Sequence, residues 1–205
     1  MRSTNEIHVL PENEISPRRI SRRELAQILL ASAAAGLISP VSSAIHPIHR
    51  HLLNAALLDS ADARLSTNDD NPLLLSGQQF AALDVLSEAI VPGSRSAQSA
   101  AFIDLLLSAD TQEAQQMFTN SLSTLESTSQ NNFHADIIHL TASQLHDLLT
   151  SLSASDSADH KQFNHLKDWI AGAYYSSEIG MRELGWTPDR VFPAFPTCPH
   201  PEGHA

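Results

Sequence analysis

Few residues in this chain are of a type and spacing that could do chemistry. His46, His49 and His51 stand close together, and the gap of two between the last pair suits ligands on an extended segment better than on a helix. No acidic or thiolate side chain stands beside them, so metal ligation competes with the plainer reading of a solvated segment. Cys198-Pro199-His200, with His204, offers similar ligand types, but its prolines oppose a closed tetrahedral site. His134, His139, His146, His160 and His165 are scattered, and packing at the surface or core edge accounts for them. Serines abound without a G-x-S-x-G elbow, and the 7 glycines form neither G-x-G-x-x-G nor G-x-x-x-x-G-K. The single cysteine, Cys198, excludes an internal disulfide framework, a cysteine zinc site and an iron–sulfur cluster held by this chain alone. No C-x-x-C-H is present for covalent haem. The reading is therefore no catalytic, cofactor-binding or metal constellation.

Charge narrows the partners. With 12 Lys+Arg against 23 Asp+Glu the 205-residue chain carries a net −11, which opposes phosphate-backbone binding and excludes nucleic acid as a partner. Only 17% of residues are charged and 42% are apolar, the composition of a globular chain. Ser21-Arg22-Arg23-Glu24-Leu25 precedes an apolar run from Leu25 to Ile38, and small residues follow up to Ala44. This is a leader with a cleavage junction at Ala44–Ile45. Its run of 14 residues falls short of the ~20 that span a bilayer. Ser21, Arg22, Arg23 and Leu25 resemble the twin-arginine export motif, with Leu25 in place of the usual aromatic. An ordinary secretory leader with extra positive charge is the alternative. Removing 1–44 takes away five arginines and four glutamates and leaves 161 residues with 7 basic and 19 acidic side chains, net −12. The remainder reads as exported to the periplasm.

The elements that must carry these residues read as helices. Residues 45–71 form a loosely apolar lead-in, with a short helix over Ile48–Leu58 and a loop from Ser66 to Pro72. Ser76-x-x-Gln79, Asp110-x-x-Glu113 and Thr141-x-x-Gln144 have the form of capping boxes. Apolar stripes at helical spacing follow each of them, and Pro92-Gly93 stops the first. A further helix spans about Ala97–Leu107, and a fifth runs from after Ser157 through Phe163, Leu166, Ile170 and Ala173 toward Gly180. We therefore expect an all-α fold, a single compact domain of about five helices over 72–185. An extended tail occupies 186–205, where five prolines accompany Trp186, Phe192 and Phe195. That tail either folds back over its own helices or lies along another protein.

The densest pattern is Gly172-Ala173-Tyr174-Tyr175-Ser176-Ser177-Glu178-Ile179-Gly180, followed by Glu183-Leu184-Gly185-Trp186-x-Pro188. Upstream stand Leu75-Ser76-x-x-x-Phe80, Ile90-Val91-Pro92 and Phe102-Ile103-Asp104-Leu105-Leu106. In their order and spacing, from about Leu73 to Cys198, these blocks resemble the small subunit of membrane-bound gluconate 2-dehydrogenase, also called subunit 3 or the gamma subunit.

The resemblance implies a non-catalytic subunit paired with a large FAD-binding dehydrogenase of the glucose-methanol-choline family, acting on a sugar, sugar acid or alcohol. It implies a multihaem cytochrome c subunit that passes electrons to quinone, so FAD and haem c belong to partners and the complex attaches to the inner membrane. It also implies that this chain escorts a leaderless flavoprotein through export. Tyr174, Tyr175, Glu178, Trp186, Phe192, Phe195 and Cys198 are the expected partner contacts. Cys198, an odd cysteine in an exported chain, is expected buried against the large subunit or bridged to it, with a free thiol as the alternative. Helical geometry turns Tyr174 and Tyr175 about 100° apart, one inward and one outward, and sets Glu178 on the side of Tyr174. A stand-alone secreted helical binding protein is the competing reading.

Overall fold

A computed structural model describes residues 47–51, 54–67, 71–154 and 156–185. They form seven α-helices: α1 Ala55–Thr67, α2 Gly77–Ile90, α3 Ser99–Ser108, α4 Gln112–Phe133, α5 Ala142–Ser153, α6 His160–Tyr175 and α7 Glu178–Glu183. Short 3-10 turns at His49–His51 and Ile137–His139 complete the elements. No strand occurs among the described residues, and the all-α expectation holds.

Two of the three expected capping boxes form. Ser76 and Gln79 exchange bonds at the start of α2, and Thr141 and Gln144 do the same at α5. At α4 the cap is Thr111, whose hydroxyl accepts from Ala114 N–H, so the box read at Asp110 and Glu113 is corrected by one residue. Asp110 is otherwise engaged, with Arg50 and His51.

Helix α3 is buried from Ser99 to Leu107 on every side. A helix buried all round has no solvent face to offer and must be the centre of the packing. Helices α1, α2, α4 and α6 pack against it. Helix α6 in turn touches α2, α3, α4, α5 and α7, and its Trp169 is the bulkiest fully buried side chain among the described residues. Phe118 of α4 meets the Trp169 ring edge-on, with centroids 5.7 Å apart.

One carboxylate lies inside α3. Asp104 is 0% exposed and accepts backbone N–H groups from Leu73, Leu74 and Leu75 at 2.5, 3.1 and 2.8 Å. It fixes the segment leading into α2 against α3, and so joins two of the sequence blocks noted above.

The count exceeds five helices for two reasons. The lead-in supplies α1, which begins later and runs farther than the short helix expected over Ile48–Leu58. Asn54 starts it by accepting from Leu57 N–H, and Thr67 ends it inside the expected loop. Its Leu57, Leu58 and Ala61, with Ile48 before it, join the core. The second reason is a break at Ser176–Ser177, which divides the expected fifth helix into α6 and α7.

Candidate functional site

The break creates a corner, and the corner gathers the densest sequence pattern. Ser177 caps α7 by accepting from Gly180 N–H at 3.1 Å, while its hydroxyl donates to the Tyr174 carbonyl at 2.6 Å. A Cβ at Gly180 would lie 2.4 Å from that same carbonyl oxygen, so only glycine lets α7 fold so tightly onto the end of α6. Tyr174 points inward, 3% exposed, and its hydroxyl donates to Glu183 Oε2 at 2.8 Å. The bond to Glu183 pushes the phenol up to about 12, so it remains a donor at neutral pH. The same hydroxyl sits over the turn after α2, where a Cβ on Gly93 (φ +93°) would approach it to 3.2 Å. Glu88 ties that turn by accepting from Gly93 N–H at 3.1 Å and Arg95 N–H at 2.8 Å. Those two bonds lower its carboxyl below the ordinary value.

Tyr175 faces outward at 37% exposure, with Ile179 at 42% and Leu184 at 64%. The inward and outward split of the two tyrosines follows from helical geometry. The placing of Glu178 beside Tyr174 does not hold, because the helix ends between them. Glu178 instead accepts from Arg182 of its own helix at 2.7 and 2.9 Å, and Glu183 takes the tyrosine. Substituting Tyr174→Phe removes one partly buried hydrogen bond while leaving exposed Glu183 in water. The expected loss is about 1 kcal/mol, a drop in melting temperature of a few degrees by thermal unfolding. A double-mutant cycle with Glu183→Ala, which removes the acceptor, should recover that coupling.

A second polar cluster has a catalytic look that its bonding removes. His165 Nδ1 lies 3.0 Å from Ser121 Oγ, and Trp169 Nε1–H donates to His165 Nε2 at 3.3 Å. Burial lowers the imidazole below its ordinary 6.5, so it is neutral near pH 7. An indole can only donate, which places the ring proton on Nδ1 and makes His165 the donor to Ser121. Ser121 passes its own proton to the Met117 carbonyl at 3.0 Å. Both histidine nitrogens are spent, and neither can take a proton from the serine. His51, 7% exposed, lies 3.2 Å from Asp110 Oδ2, and Arg50 joins the same carboxylate while its guanidinium stands 5.7 Å from the centre of the Trp169 ring. His51 is therefore a packed side chain and not part of a solvated segment.

A groove of about 710 Å³ lies between the start of α2 and the second half of α4, walled by Gln78, Ser123, Glu126 and Asn131 among others. Glu126 accepts from Ile137 N–H at 3.2 Å, and burial raises its carboxyl above the ordinary value. Among the described residues it is the one titratable side chain of that wall. Among the described residues no three His, Cys, Asp or Glu side chains are placed to hold a metal ion, and no helix is long and apolar enough to cross a membrane.

Of the sequence-predicted site residues, Tyr174, Tyr175 and Glu178 fall in this corner. Ser21, Arg22, Arg23, Leu25, Ala44 and Ile45 of the leader, and Trp186, Phe192, Phe195 and Cys198 of the tail, lie outside the described residues. Sequence reasoning missed Asp104, Gly93 and Glu183 as the fixings that hold the blocks together. The available signal for Asp104 was a lone carboxylate in the apolar run Ala100–Leu107.

Residues 77–191, more than half of the chain, match the family model described as gluconate 2-dehydrogenase subunit 3. No curated protein and no solved structure matches the chain.

Proposed function

The chain belongs to the gluconate 2-dehydrogenase subunit 3 family, a subunit family of a dehydrogenase complex, and from that membership we propose that it is a non-catalytic small subunit which docks an FAD-binding dehydrogenase through the α6–α7 corner. It acts there as folding partner and twin-arginine export escort of that flavoprotein. FAD sits on the large subunit, haem c on a cytochrome subunit, and the complex is held at the periplasmic face of the inner membrane through that cytochrome.

One observation carries the docking reading. The corner locks Tyr174 inward with Gly93, Glu183 and Gly180, and the stretch from Tyr174 to Leu184 also exposes Tyr175, Ile179 and Leu184. Rigid backbone beneath outward apolar side chains is what a docking surface needs, since little ordering entropy remains to be lost on binding. Aromatic and aliphatic anchors of this kind dominate interface energetics. The tail residues Trp186, Phe192, Phe195 and Cys198 follow directly and are assigned to the same interface. The spent Ser121–His165 pair supports the non-catalytic half of the reading.

Co-expression with the cognate flavoprotein tests it. Tyr175→Ser combined with Ile179→Ser and Leu184→Ser should lower recovery of the complex strongly, since each lost anchor costs about 1–2 kcal/mol of binding. The melting temperature of the free subunit should fall by no more than a few degrees, because Ile179 and Leu184 are exposed and Tyr175 gives up only its edge-on ring contact with Tyr174. Undiminished recovery refutes docking at this corner. Full recovery of a complex that no longer turns over refutes the non-catalytic role. A colourless monomer isolated from the native host, with no flavoprotein attached, would favour the stand-alone binding protein.

A further inference from the structure

Glu126 uses its two carboxyl oxygens unequally. Oε1 accepts from Ile137 N–H at 3.2 Å, while Oε2 is buried and meets no hydrogen-bond donor among the described residues. A charged oxygen out of water and without a donor keeps its full desolvation cost. A second carboxylate adds to that cost. Asp136 starts the 3-10 turn Ile137–His139, and Gln130, one helical turn after Glu126 on the same face of α4, donates its side-chain amide to Asp136 Oδ1. Two bonds therefore draw the turn onto α4 and carry Asp136 up to Glu126. His139 Nδ1 stands 3.9 Å from Asp136 Oδ2, and Glu126 Oε2 takes no bond from it. Asp136 and His139 are the charged groups that act on Glu126 among the described residues, and α2 lines the adjoining groove without a charge.

One proton satisfies both carboxyls. Placed on Glu126 Oε2, it turns the orphaned acceptor into a donor, with Asp136 in reach to accept. Asp136 is the poorer seat for it, because the Gln130 amide already stabilises its anion and its side chain is 31% exposed. We propose that Glu126 and Asp136 share one proton on mild acidification, and that this proton clasps the 3-10 turn to α4. Ile137 is 0% exposed and the turn packs on α2 as well as α4, so the clasp acts where all three meet. Burial raises the Glu126 carboxyl above its ordinary 4.5, the Ile137 N–H bond opposes the rise, and the charge of Asp136 adds to it. The folded chain thus holds the proton at pH values where the unfolded chain has released it. The added stability is complete below 4.5 and is lost as the pH rises through the folded value.

The test is a pH titration of the purified full-length chain by carbon NMR of isotope-labelled side-chain carboxyls, with the Ile137 amide followed alongside. Glu126 should titrate above the ordinary glutamate value, and Asp136 and the Ile137 amide should each show a step at the same pH, the mark of a shared proton. In Asp136→Asn the Glu126 midpoint should fall, because a fixed amide donor replaces the competing charge. Urea midpoints at about pH 7.5 and about pH 4 read the clasp itself. Between them the unaltered chain should gain at least about 0.2 M on Glu126→Gln, which carries a permanent donor in place of the proton. Titration of Glu126 at or below the ordinary value overturns the proposal. So does a Glu126 midpoint unmoved by Asp136→Asn, which would leave burial as the whole cause, and so does a gap to Glu126→Gln that is the same at both pH values. If either variant folds poorly, the coincident steps in the unaltered chain decide, and their absence overturns the shared proton.

Discussion

Asp104→Ala is expected to cost about 3–4 kcal/mol of folding stability, enough to leave a small domain marginal. The carboxylate is 0% exposed and satisfies three successive N–H groups, from Leu73 to Leu75. Alanine removes the acceptor and leaves these donors pointing into a cavity. Leu73 is exposed and its N–H regains water, but the bond to Leu75 is buried and its donor cannot. A buried donor left unmade costs about 1–3 kcal/mol, more when the lost acceptor was charged. Asp104→Asn keeps one acceptor oxygen and should lose about half as much. Glu88→Ala provides the control. Glu88 also accepts two backbone N–H groups, at 3.1 and 2.8 Å, but much closer to water, and its loss should stay near 1 kcal/mol. Urea midpoints at constant m-value measure all three. An Asp104→Ala variant within 1 kcal/mol of the unaltered chain, on the scale of an exposed hydrogen bond, would show that the segment before α2 finds other partners.

If the proposed escort role holds, replacing Arg22 and Arg23 together with lysine is expected to reduce export of this chain, and of the proposed flavoprotein partner, to background. The substitution keeps both positive charges, so a leader that needs only charge would continue to work. A receptor that reads the planar, multidentate guanidinium would not. The measurement is dehydrogenase activity and small-subunit antigen in periplasmic and cytoplasmic fractions. Both should remain in the cytoplasm. If the flavoprotein still reaches the periplasm while this chain does not, the escort role is wrong although the export motif is right. If both are exported normally, the leader is an ordinary secretory one.

The helices were legible because helix ends are local chemistry. Ser76 with Gln79, and Thr141 with Gln144, announce α2 and α5 through side chains three residues apart. The same rule misplaced the start of α4. Asp110 and Thr111 are both good caps, and the choice between them was made by Arg50 and His51, some 60 residues away in sequence. The divided fifth helix was hidden for a similar reason. Ser176-Ser177 are tolerable within a helix, and the break depends on how closely Gly180 can approach the Tyr174 carbonyl. The Tyr174–Tyr175 pair was readable as one inward and one outward ring, since a helix fixes the angle between neighbours. Which carboxylate would meet the inward hydroxyl was not readable, because that followed from the break.

The order in which the walls of the core appear along the chain has a consequence for biosynthesis. Helix α3 is buried on all sides, yet α6, one of its walls and the source of Trp169, ends only at Tyr175. A nascent chain emerging from the ribosome therefore carries an apolar α3 for about seventy further residues before its last wall arrives. Such a chain is exposed to aggregation and to chaperone capture throughout that interval. Premature termination anywhere before α6 yields a product that cannot close. A translocase that accepts only closed structures would thereby reject every truncated copy, and synthesis errors would be kept from crossing the membrane.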